Sequence, residues 1–362
     1  MGFSVSLESH FVEKIIIVGG GIAGLTCLNA LIDAGVNPLL IEAGTIGSPK
    51  MCGEFIAPSA VTQLEKWNVG AIENIKRAKF FSKNHTFHVD FKLPAGAIAR
   101  SEAEVLLAKR AIKNNGRIWQ NVSIQTILPP QKNDSFLFTV DTGEVLRAEN
   151  VFFATGRFGQ KKLMNQPLPY VGLKTHINKI LEPHTLLMHS IEDAYFGLIP
   201  ISTSISNFAC LIKKEALKIQ KTGKDFFLKQ INQNAFLKEL FREQDLEHIN
   251  MLETPSPEFF LRNNPLWPNA YWIGDSLASF PPAIGYGFAH GINSALFATE
   301  CFLELNSSAY AKKLRKQVKP KLFIGKLMHY CLLNPHMNSW LFPFLRMNPW
   351  ISKLCLKKIG YY

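Results

Sequence analysis

Hydrophobic and polar positions along the first forty residues follow a pattern that predicts an α/β fold. Residues 14–19 (KIIIVG) form a continuous β-branched run ending in glycine, which is typical of a buried parallel strand. Residues 22–34 have the apolar positions of a packed helix, and residues 39–42 (LLIE) predict the next strand. Together they form a βαβ unit of about 30 residues.

Later segments predict further strands and three more helical regions, one of which is the charged segment 213–245. A β-hairpin is expected around residues 141–144, a separate strand at 150–156, antiparallel strands between about 166 and 212, and a last strand at 270–276. Residues 99–116 predict a helix in which Ser101 and Glu104 form an N-terminal capping box. Another helix is expected near 287–304. Strands of the nucleotide-binding type therefore frame an inserted, mostly antiparallel sheet.

The net charge of +12 is concentrated in the C-terminal tail. Residues 311–362 contain eleven Lys or Arg and no Asp or Glu, together with Trp340, Phe342, Phe344 and Trp350. A helical subdomain with a solvated basic face is the interpretation we favour. Peripheral contact with an anionic membrane is the alternative, and nucleic acid ranks lower because no nucleic-acid motif accompanies the charge.

Three further features of the sequence restrict its class. The six cysteines are scattered without CxxC spacing, so we expect neither a disulfide scaffold nor a metal site. The first residues lack a basic segment followed by an apolar one, so we expect no secretory signal and a cytoplasmic location. No run of about 18 apolar residues predicts a membrane-spanning helix.

The first functional motif is the G-x-G-x-x-G sequence formed by Gly19, Gly21 and Gly24. It follows a strand, opens a helix and is followed by an acid, Glu42, at the end of the next strand. This context is typical of dinucleotide binding. The roles expected of the residues are a tight turn at Gly19, close approach of a pyrophosphate at Gly21, helix–sheet packing at Gly24 and ribose binding by Glu42.

The second motif is the Gly274–Asp275 pair at the end of the last predicted strand. A carboxylate at this position can accept a hydrogen bond from a ribityl hydroxyl, and the following loop carries Pro282, Gly285 and Gly287. Two binding stations so far apart in the sequence favour a long, extended cofactor. We therefore expect Gly21 and Asp275 to border one continuous groove.

With these motifs in this order, residues 13–305 resemble the FAD-dependent oxidoreductases of the geranylgeranyl reductase and aromatic hydroxylase superfamily. The segment SPKMCGEFIAPSAV (48–61) is similar to the "CGE" segment of the reductase branch, and AYFGLIPIS resembles its Y-x-W-x-F-P strand. The resemblance implies a Rossmann-like FAD-binding domain, an inserted substrate domain and a helical C-terminal tail. It implies FAD as the cofactor, with NAD(P)H binding only transiently.

The resemblance also assigns roles to individual residues. Arg100 matches an arginine that contacts FAD, and Asp275 matches the aspartate that binds the ribityl chain. Further cofactor contacts are expected at Ile22, Ala23, Val122, Gly274, Pro282, Gly285 and Gly287. Cys52, Glu54 and Tyr195 are the candidate catalytic residues. Cys52 is a proton donor or flavin contact, or a packing residue; Glu54 is a proton relay or a local backbone partner; Tyr195 lines the substrate cavity or belongs to the core.

One departure from the hydroxylase pattern bears on the reaction. Many hydroxylases carry an Asp-Gly pair that touches both FAD and NAD(P)H, whereas this chain has Thr155 at the position of the aspartate. We therefore favour reduction or dehydrogenation of a hydrophobic metabolite, such as a prenyl or polyketide compound. Hydroxylation is the first alternative, and a non-catalytic escort that binds a prenylated partner is the second.

The domain boundaries follow from the positions of these motifs. The FAD-binding domain is expected to comprise residues 1–75, 100–165 and 255–305, and the substrate domain residues 76–99 and 166–254. Residues 306–362 form the basic helical tail. The oligomeric state has no signature in the sequence.

Overall fold

The computed structural model describes most of the chain and shows two sheets, helices packed on both of them, and a helical tail. The described residues are 11–70, 72–83, 85–130, 135–157, 168–180, 182–218, 222–233, 235–242, 250–256, 258–262, 267–305 and 307–361. Residues 1–10, in which no secretory signal is expected, lie outside them.

The described strands fall into two sheets and are numbered in chain order. They are β1 (Phe11–Val18), β2 (Leu39–Glu42), β3 (Phe55–Ile56), β4 (Glu73–Ser82), β5 (His85–Ala97), β6 (Arg117–Gln120), β7 (Ile124–Leu128), β8 (Phe136–Val140), β9 (Val145–Phe153), β10 (Tyr170–Ile177), β11 (Thr185–Ile191), β12 (Ala194–Pro200), β13 (Ser206–Lys213), β14 (Leu252–Ser256) and β15 (Ala270–Trp272).

The helices of the described residues are numbered in the same way. They are α1 (Ile22–Asp33), α2 (Pro58–Lys66), α3 (Arg100–Lys113), α4 (Gly223–Gln233), α5 (Ala235–Leu240), α6 (Gly287–Leu303), α7 (Ser307–Leu332), α8 (Pro335–Met347) and α9 (Pro349–Ile359). Short 3₁₀ turns cover Lys214–Leu217, Gly274–Ser276 and Pro282–Ile284.

The first sheet has the order β6-β2-β1-β9, with β15 and the β8–β7 pair both beyond β9. Strands β6, β2, β1, β9 and β15 are parallel, and Val18 and Trp272 are both in register with Phe153. Because parallel strands end at the same edge, the turns that follow β1, β9 and β15 lie side by side. This topology brings the two glycine motifs together although about 250 residues separate them.

The second sheet has the order β14-β10-β13-β12-β11-β4-β5-β3 and is antiparallel except at the β11–β4 pair. Its strands come mostly from the segment between β9 and β15, with the β4–β5 hairpin added at one side. The expected combination of a Rossmann-like parallel sheet and an inserted, mostly antiparallel sheet is confirmed.

Three local predictions were wrong. Residues 145–153 form one continuous strand, so the second arm of the hairpin and the "separate" strand at 150–156 are the same element. The last strand ends at Trp272, because Gly274 turns the chain with a φ of 59°.

The capping box of α3 is also absent. The helix begins at Arg100, which places Ser101 inside the first turn, and the N-cap is Ala99. Glu104 instead binds the side chains of Arg100 and Lys50. The amide of Arg100 donates to Glu54 Oε1 at 2.9 Å, so a side chain from a distant loop satisfies the start of α3.

The C-terminal tail is helical as expected, and its inner face packs on the rest of the protein. The buried hydroxyl of Tyr361 donates to the carbonyl of Ile284 at 2.6 Å, and its ring stacks on Phe55. Gly325 of α7 lies against Ile284 and Pro281. Among the described helices, none is long and apolar enough to cross a membrane.

Candidate active site

A cavity of about 220 Å³ lies between the carboxyl edge of the first sheet and the face of the second sheet. Most of the residues singled out in the sequence line it: Gly21, Ile22, Ala23, Cys52, Glu54, Arg100, Tyr195, Gly274, Asp275, Pro282, Gly285 and Gly287. The two glycine motifs therefore border one continuous space, as the sequence indicated. Gly19, Gly24, Glu42 and Val122 are outside its lining.

Gly19 and Gly24 serve the packing of the first turn. A Cβ on Gly24 would lie 1.8 Å from the carbonyl oxygen of Gly19, and a Cβ on Gly19 would lie 2.4 Å from that of Ala154. Gly19 also has a φ of 107°, which favours glycine. These two glycines allow α1 to begin directly against the sheet edge.

Gly21 belongs to a different group of glycines, which face open space in the cavity. A Cβ on Gly21 would meet nothing closer than 3.4 Å, where the nearest atom is a guanidinium nitrogen of Arg100. A Cβ on Gly53, Gly156 or Gly287 would have no neighbour within 4 Å. At these four glycines the cavity wall is bare backbone, and internal packing does not explain why a side chain is missing. We call Gly21, Gly53, Gly156 and Gly287 the cradle.

Glu42 and Val122 lie at the outer end of the first turn. The carboxylate of Glu42 accepts hydrogen bonds from the amide of Gly20 and, at 3.0 Å, from that of Gly44. The amide of Val122 donates to the carbonyl of Glu42 at 3.1 Å. Because a carboxylate has about four acceptor sites, two of them remain for further donors.

The second motif presents the carboxylate of Asp275 beside the first motif. Asp275 Oδ2 lies 3.4 Å from Nε of Arg157, which follows the turn after β9. Burial raises the pKa of Asp275 above its ordinary value, although the charges of Arg157 and Arg100 oppose the rise. Two hydrogen bonds fix Gly274 to α6. Its amide donates to Ser294 Oγ, and its carbonyl accepts from His290 Nε2.

Arg100 lies between the two motifs at the start of α3. Its Nε donates to Glu104 Oε1 at 2.8 Å, and Lys50 Nζ lies 3.0 Å from the other oxygen of that carboxylate. Glu104 is fully buried, so it fixes the guanidinium beside Gly21.

Glu54 is the centre of a buried ion-pair network. Its carboxylate accepts from Lys174 Nζ, from His176 Nε2 at 2.8 Å and from the amide of Arg100. Burial alone would raise the pKa of Glu54, but the hydrogen bond with His176 and the charge of Lys174 lower it below its ordinary value. The side chain of His176 is 39% exposed, so this network runs from solvent to the cavity wall.

Cys52 lies in the same loop as Glu54. Its Sγ accepts a hydrogen bond from the amide of Glu54 at 3.3 Å, and its carbonyl accepts from Asn207 Nδ2. Burial raises the pKa of the Cys52 thiol above its ordinary value, a rise that the nearby Arg100 charge reduces. Cys52 is therefore a neutral thiol at the cavity wall near pH 7.

Tyr195 of β12 borders the cavity and is bound by the tail. Its hydroxyl lies 3.1 Å from Nδ1 of His329 in α7. Burial raises the pKa of Tyr195 well above its ordinary value and lowers that of His329 to about 4. Tyr195 is thus a neutral phenol hydrogen-bonded to a neutral imidazole.

Several residues of the site were missed in the sequence. Arg157 follows Gly156 in the turn after β9, a position that could have marked it. Lys174 and His176 are two residues apart and therefore on one face of a strand, which is a weak signal. Nothing near His329 in the sequence links it to Tyr195, because the pairing arises only when α7 packs on the second sheet.

Comparison with known proteins gives a family match over part of the chain and a shared fold over nearly all of it. Residues 16–189 match the family described as pyridine nucleotide-disulphide oxidoreductase. No curated protein sequence matches the chain.

Solved structures share the fold over nearly the whole chain. Flavin-dependent brominase Bmp2 is 15% identical with a TM-score of 0.80, covering 97% of this chain and 94% of that one. PqsL from P. aeruginosa is 13% identical with a TM-score of 0.76, covering 92% and 100%. A geranylgeranyl bacteriochlorophyll reductase-like protein from Thermoplasma acidophilum is 17% identical with a TM-score of 0.68, covering 91% and 89%. Residues 16–189 are therefore similar to the pyridine nucleotide-disulphide oxidoreductase family, and the chain shares the fold of flavin-dependent brominase Bmp2 over nearly its whole length.

Proposed function

We propose that this protein reduces a small apolar molecule in the cavity between its two sheets, with FAD held along the edge of the first sheet. The observation that carries the proposal is that one continuous cavity is lined by open glycines, by apolar side chains, and by a neutral thiol and a neutral phenol.

The residues around the cradle fit FAD. Gly21 leaves its backbone open to a pyrophosphate, and α1 begins beside it with its free amides. Glu42 keeps acceptor capacity for ribose hydroxyls, and Asp275 can accept from the ribityl chain. Gly19 and Gly24 would support this site through packing, and Val122 through its bond to Glu42.

The apolar part of the cavity lining fits an apolar substrate. It includes Leu186, Met188, Leu211, Phe280 and Phe288. Such a surface suits a prenyl, polyketide or other lipophilic compound, whose burial is favourable by about 25 cal/mol per Å² of apolar area.

Reduction of a carbon–carbon double bond needs a hydride on one carbon and a proton on the other. FAD supplies the hydride chemistry when bound and reduced, and NAD(P)H is the proposed electron donor. Cys52 and Tyr195 are the proposed proton donors, because both keep their protons near pH 7. Glu54 is ionised, so we assign it the role of a relay with His176 that leads from solvent to the loop of Cys52.

Anaerobic reduction is the first test. The purified protein should be yellow, and NADH or NADPH should bleach the flavin without oxygen. Adding candidate lipophilic alkenes under argon should then restore the colour and yield the saturated product. A flavin that no alkene reoxidises would overturn the proposal.

Monooxygenation is the second candidate, because the brominase Bmp2 has the same fold and oxygen-dependent chemistry is a standard use of flavins. Oxygen dependence separates the two. If product forms only when O₂ is admitted, and one atom of labelled O₂ appears in each product molecule, the protein is a monooxygenase.

Cys52→Ser tests the proton donor. Serine is a far weaker acid than cysteine, so substrate-dependent reoxidation should slow by about 10²-fold while flavin content stays unchanged. Cys355→Ser is the matched control, because Cys355 is a half-buried cysteine in the tail; this substitution should leave the rate unchanged. Equal rates for Cys52→Ser and the wild type would show that Cys52 is not the proton donor and only packs in the cavity wall.

A further inference from the structure

The tail helices present large apolar side chains to solvent. Thirteen large hydrophobic residues are exposed in the described part of the chain, and eight of them lie between Phe323 and Leu354. Trp340 is 83% exposed, Met347 81% and Phe323 71%. We call the eight residues the tail surface: Phe323, Leu327, Tyr330, Trp340, Phe344, Met347, Trp350 and Leu354.

The spacing of these residues places them on one face of each helix. In α7 they recur as 323, 327 and 330, in α8 as 340, 344 and 347, and in α9 as 350 and 354. The spacing of i, i+4 and i+7 is that of a single helical stripe. The opposite faces hold the buried residues Leu322, His329, Phe342, Leu356 and Ile359. Each helix is therefore apolar on two sides, one in the core and one in solvent.

Basic side chains accompany the apolar stripes. Lys319, Lys326, Arg346, Lys353 and Lys357 are exposed on the same helices, and residues 311–362 contain no Asp or Glu. A partner for this face must accept both large apolar groups and positive charge.

An anionic lipid bilayer meets both requirements. Its acyl boundary takes up tryptophan, phenylalanine and leucine, and its headgroups attract lysine and arginine by about 1 kcal/mol per residue near the surface. A second copy of this chain would bring another uncompensated positive tail against the first. Nucleic acid would match the charge but would not account for the aliphatic part of the stripes.

We propose that the tail surface binds peripherally to membranes containing anionic lipid. This inference goes beyond the proposed reaction and does not depend on it, since it stands on the exposed stripes and the charge of the tail.

The opposite face of α7 connects this surface to the cavity. Lys321 Nζ lies 2.6 Å from the hydroxyl of Tyr286, next to the loop of Pro282 and Gly285, and His329 binds Tyr195. A protein docked through the tail surface would thus hold its cavity wall within one helix diameter of the lipid, about 10–12 Å.

Vesicle flotation tests the proposal on the full-length, flavin-loaded protein. We expect it to float with phosphatidylcholine vesicles containing 30% phosphatidylglycerol, and to bind at least tenfold less to pure phosphatidylcholine or in 0.5 M salt. The triple variant Trp340→Ser, Phe344→Ser, Trp350→Ser should lose at least tenfold of the binding. The matched control is Leu93→Ser with Ile112→Ser, which alters two exposed residues elsewhere and should bind as the wild type does.

Flavin content and thermal melting verify that each variant folds. Independently, brominated lipids should quench the fluorescence of the wild type, and this quenching should disappear in Trp340→Phe, Trp350→Phe. Equal flotation of the wild type and the serine variant would overturn the proposal. So would a failure of the wild type to bind any vesicle, or a wild-type dimer that the serine substitutions dissociate, which would make a second copy the occupant.

Discussion

The carboxylate of Asp275 and the guanidinium of Arg157 lie 3.4 Å apart at the carboxyl edge of the parallel sheet. Asp275 follows β15 and Arg157 follows β9, so two adjacent strands supply an acidic and a basic side chain to the same cavity. Burial raises the pKa of Asp275, and the positive charge of Arg157 offsets only part of that rise. A hydroxyl that donates to this carboxylate would stabilise it further.

Replacing Asp275 should therefore weaken flavin binding. A hydrogen bond to a charged group contributes about 1.5–3 kcal/mol, so Asp275→Ala should reduce FAD affinity by about 10- to 150-fold. Titration of the apoprotein with FAD, followed by flavin fluorescence, measures the change. Asp141→Ala, at the exposed β8–β9 turn, is the control. An unchanged affinity for Asp275→Ala would refute the ribityl assignment.

The two kinds of glycine in the first motif should respond differently to substitution. Gly21→Val enlarges a position that faces the cavity, so it should abolish flavin retention while the apoprotein melts within a few degrees of the wild type. Gly24→Ala places a methyl 1.8 Å from the carbonyl oxygen of Gly19, so it should lower the melting temperature of the apoprotein itself. Flavin absorbance and calorimetry of both variants make the comparison. If Gly21→Val retained its flavin, the assignment of the pyrophosphate to this turn would be wrong.

Glu54 should stabilise the fold in a pH-dependent way. Its pKa in the folded protein is lowered from the ordinary 4.5, so its contribution is present above pH 4.5 and is lost as the pH falls below that value. Glu54→Gln breaks a buried ion pair and should cost about 3–5 kcal/mol of unfolding free energy at pH 7. The difference from the wild type, measured by urea unfolding, should shrink toward pH 3. A difference independent of pH would contradict the ionised state.

His189 should make the protein sensitive to mild acid. Its ring is stacked between Phe81, Phe196 and Phe236, and burial lowers its pKa from 6.5 to about 3. A depressed histidine pKa means that the unfolded chain binds the proton more tightly, so stability falls as the pH drops below 6.5.

Between pH 8 and pH 5 this loss amounts to about 2 kcal/mol for one histidine. His189→Phe keeps the stacking without the titrating group. Its unfolding free energy should fall by about 2 kcal/mol less than that of the wild type over the same pH interval. His88→Phe, an exposed position on β5, is the control, and an identical loss in all three proteins would contradict the buried neutral state.

Local patterns predicted the parts of the site that are contiguous in the sequence. The turn of Gly19 to Gly24 could be read directly, because one strand, one turn and one helix contain all the residues that shape it. The meeting of this turn with Asp275 also followed, since parallel strands end at a common edge.

Long-range pairs were beyond that reasoning. Glu54 meets Lys174 120 residues away, and Tyr195 meets His329 134 residues away, so neither pair leaves a spacing in the sequence. The capping box failed for the same reason: the amide of Arg100 found its acceptor in Glu54, and tertiary contact replaced a local motif.

The buried Tyr361 has a consequence for how the tail can be studied. Its hydroxyl is tied to Ile284, two residues from Pro282, and its ring lies on Phe55 at the cavity wall. Deleting the tail would therefore remove contacts that support the proposed flavin site, together with the outer face of the tail. A shortened protein could then lose activity either because the cavity is damaged or because membrane binding is lost. Only point substitutions on the solvent face of the tail can separate membrane binding from turnover.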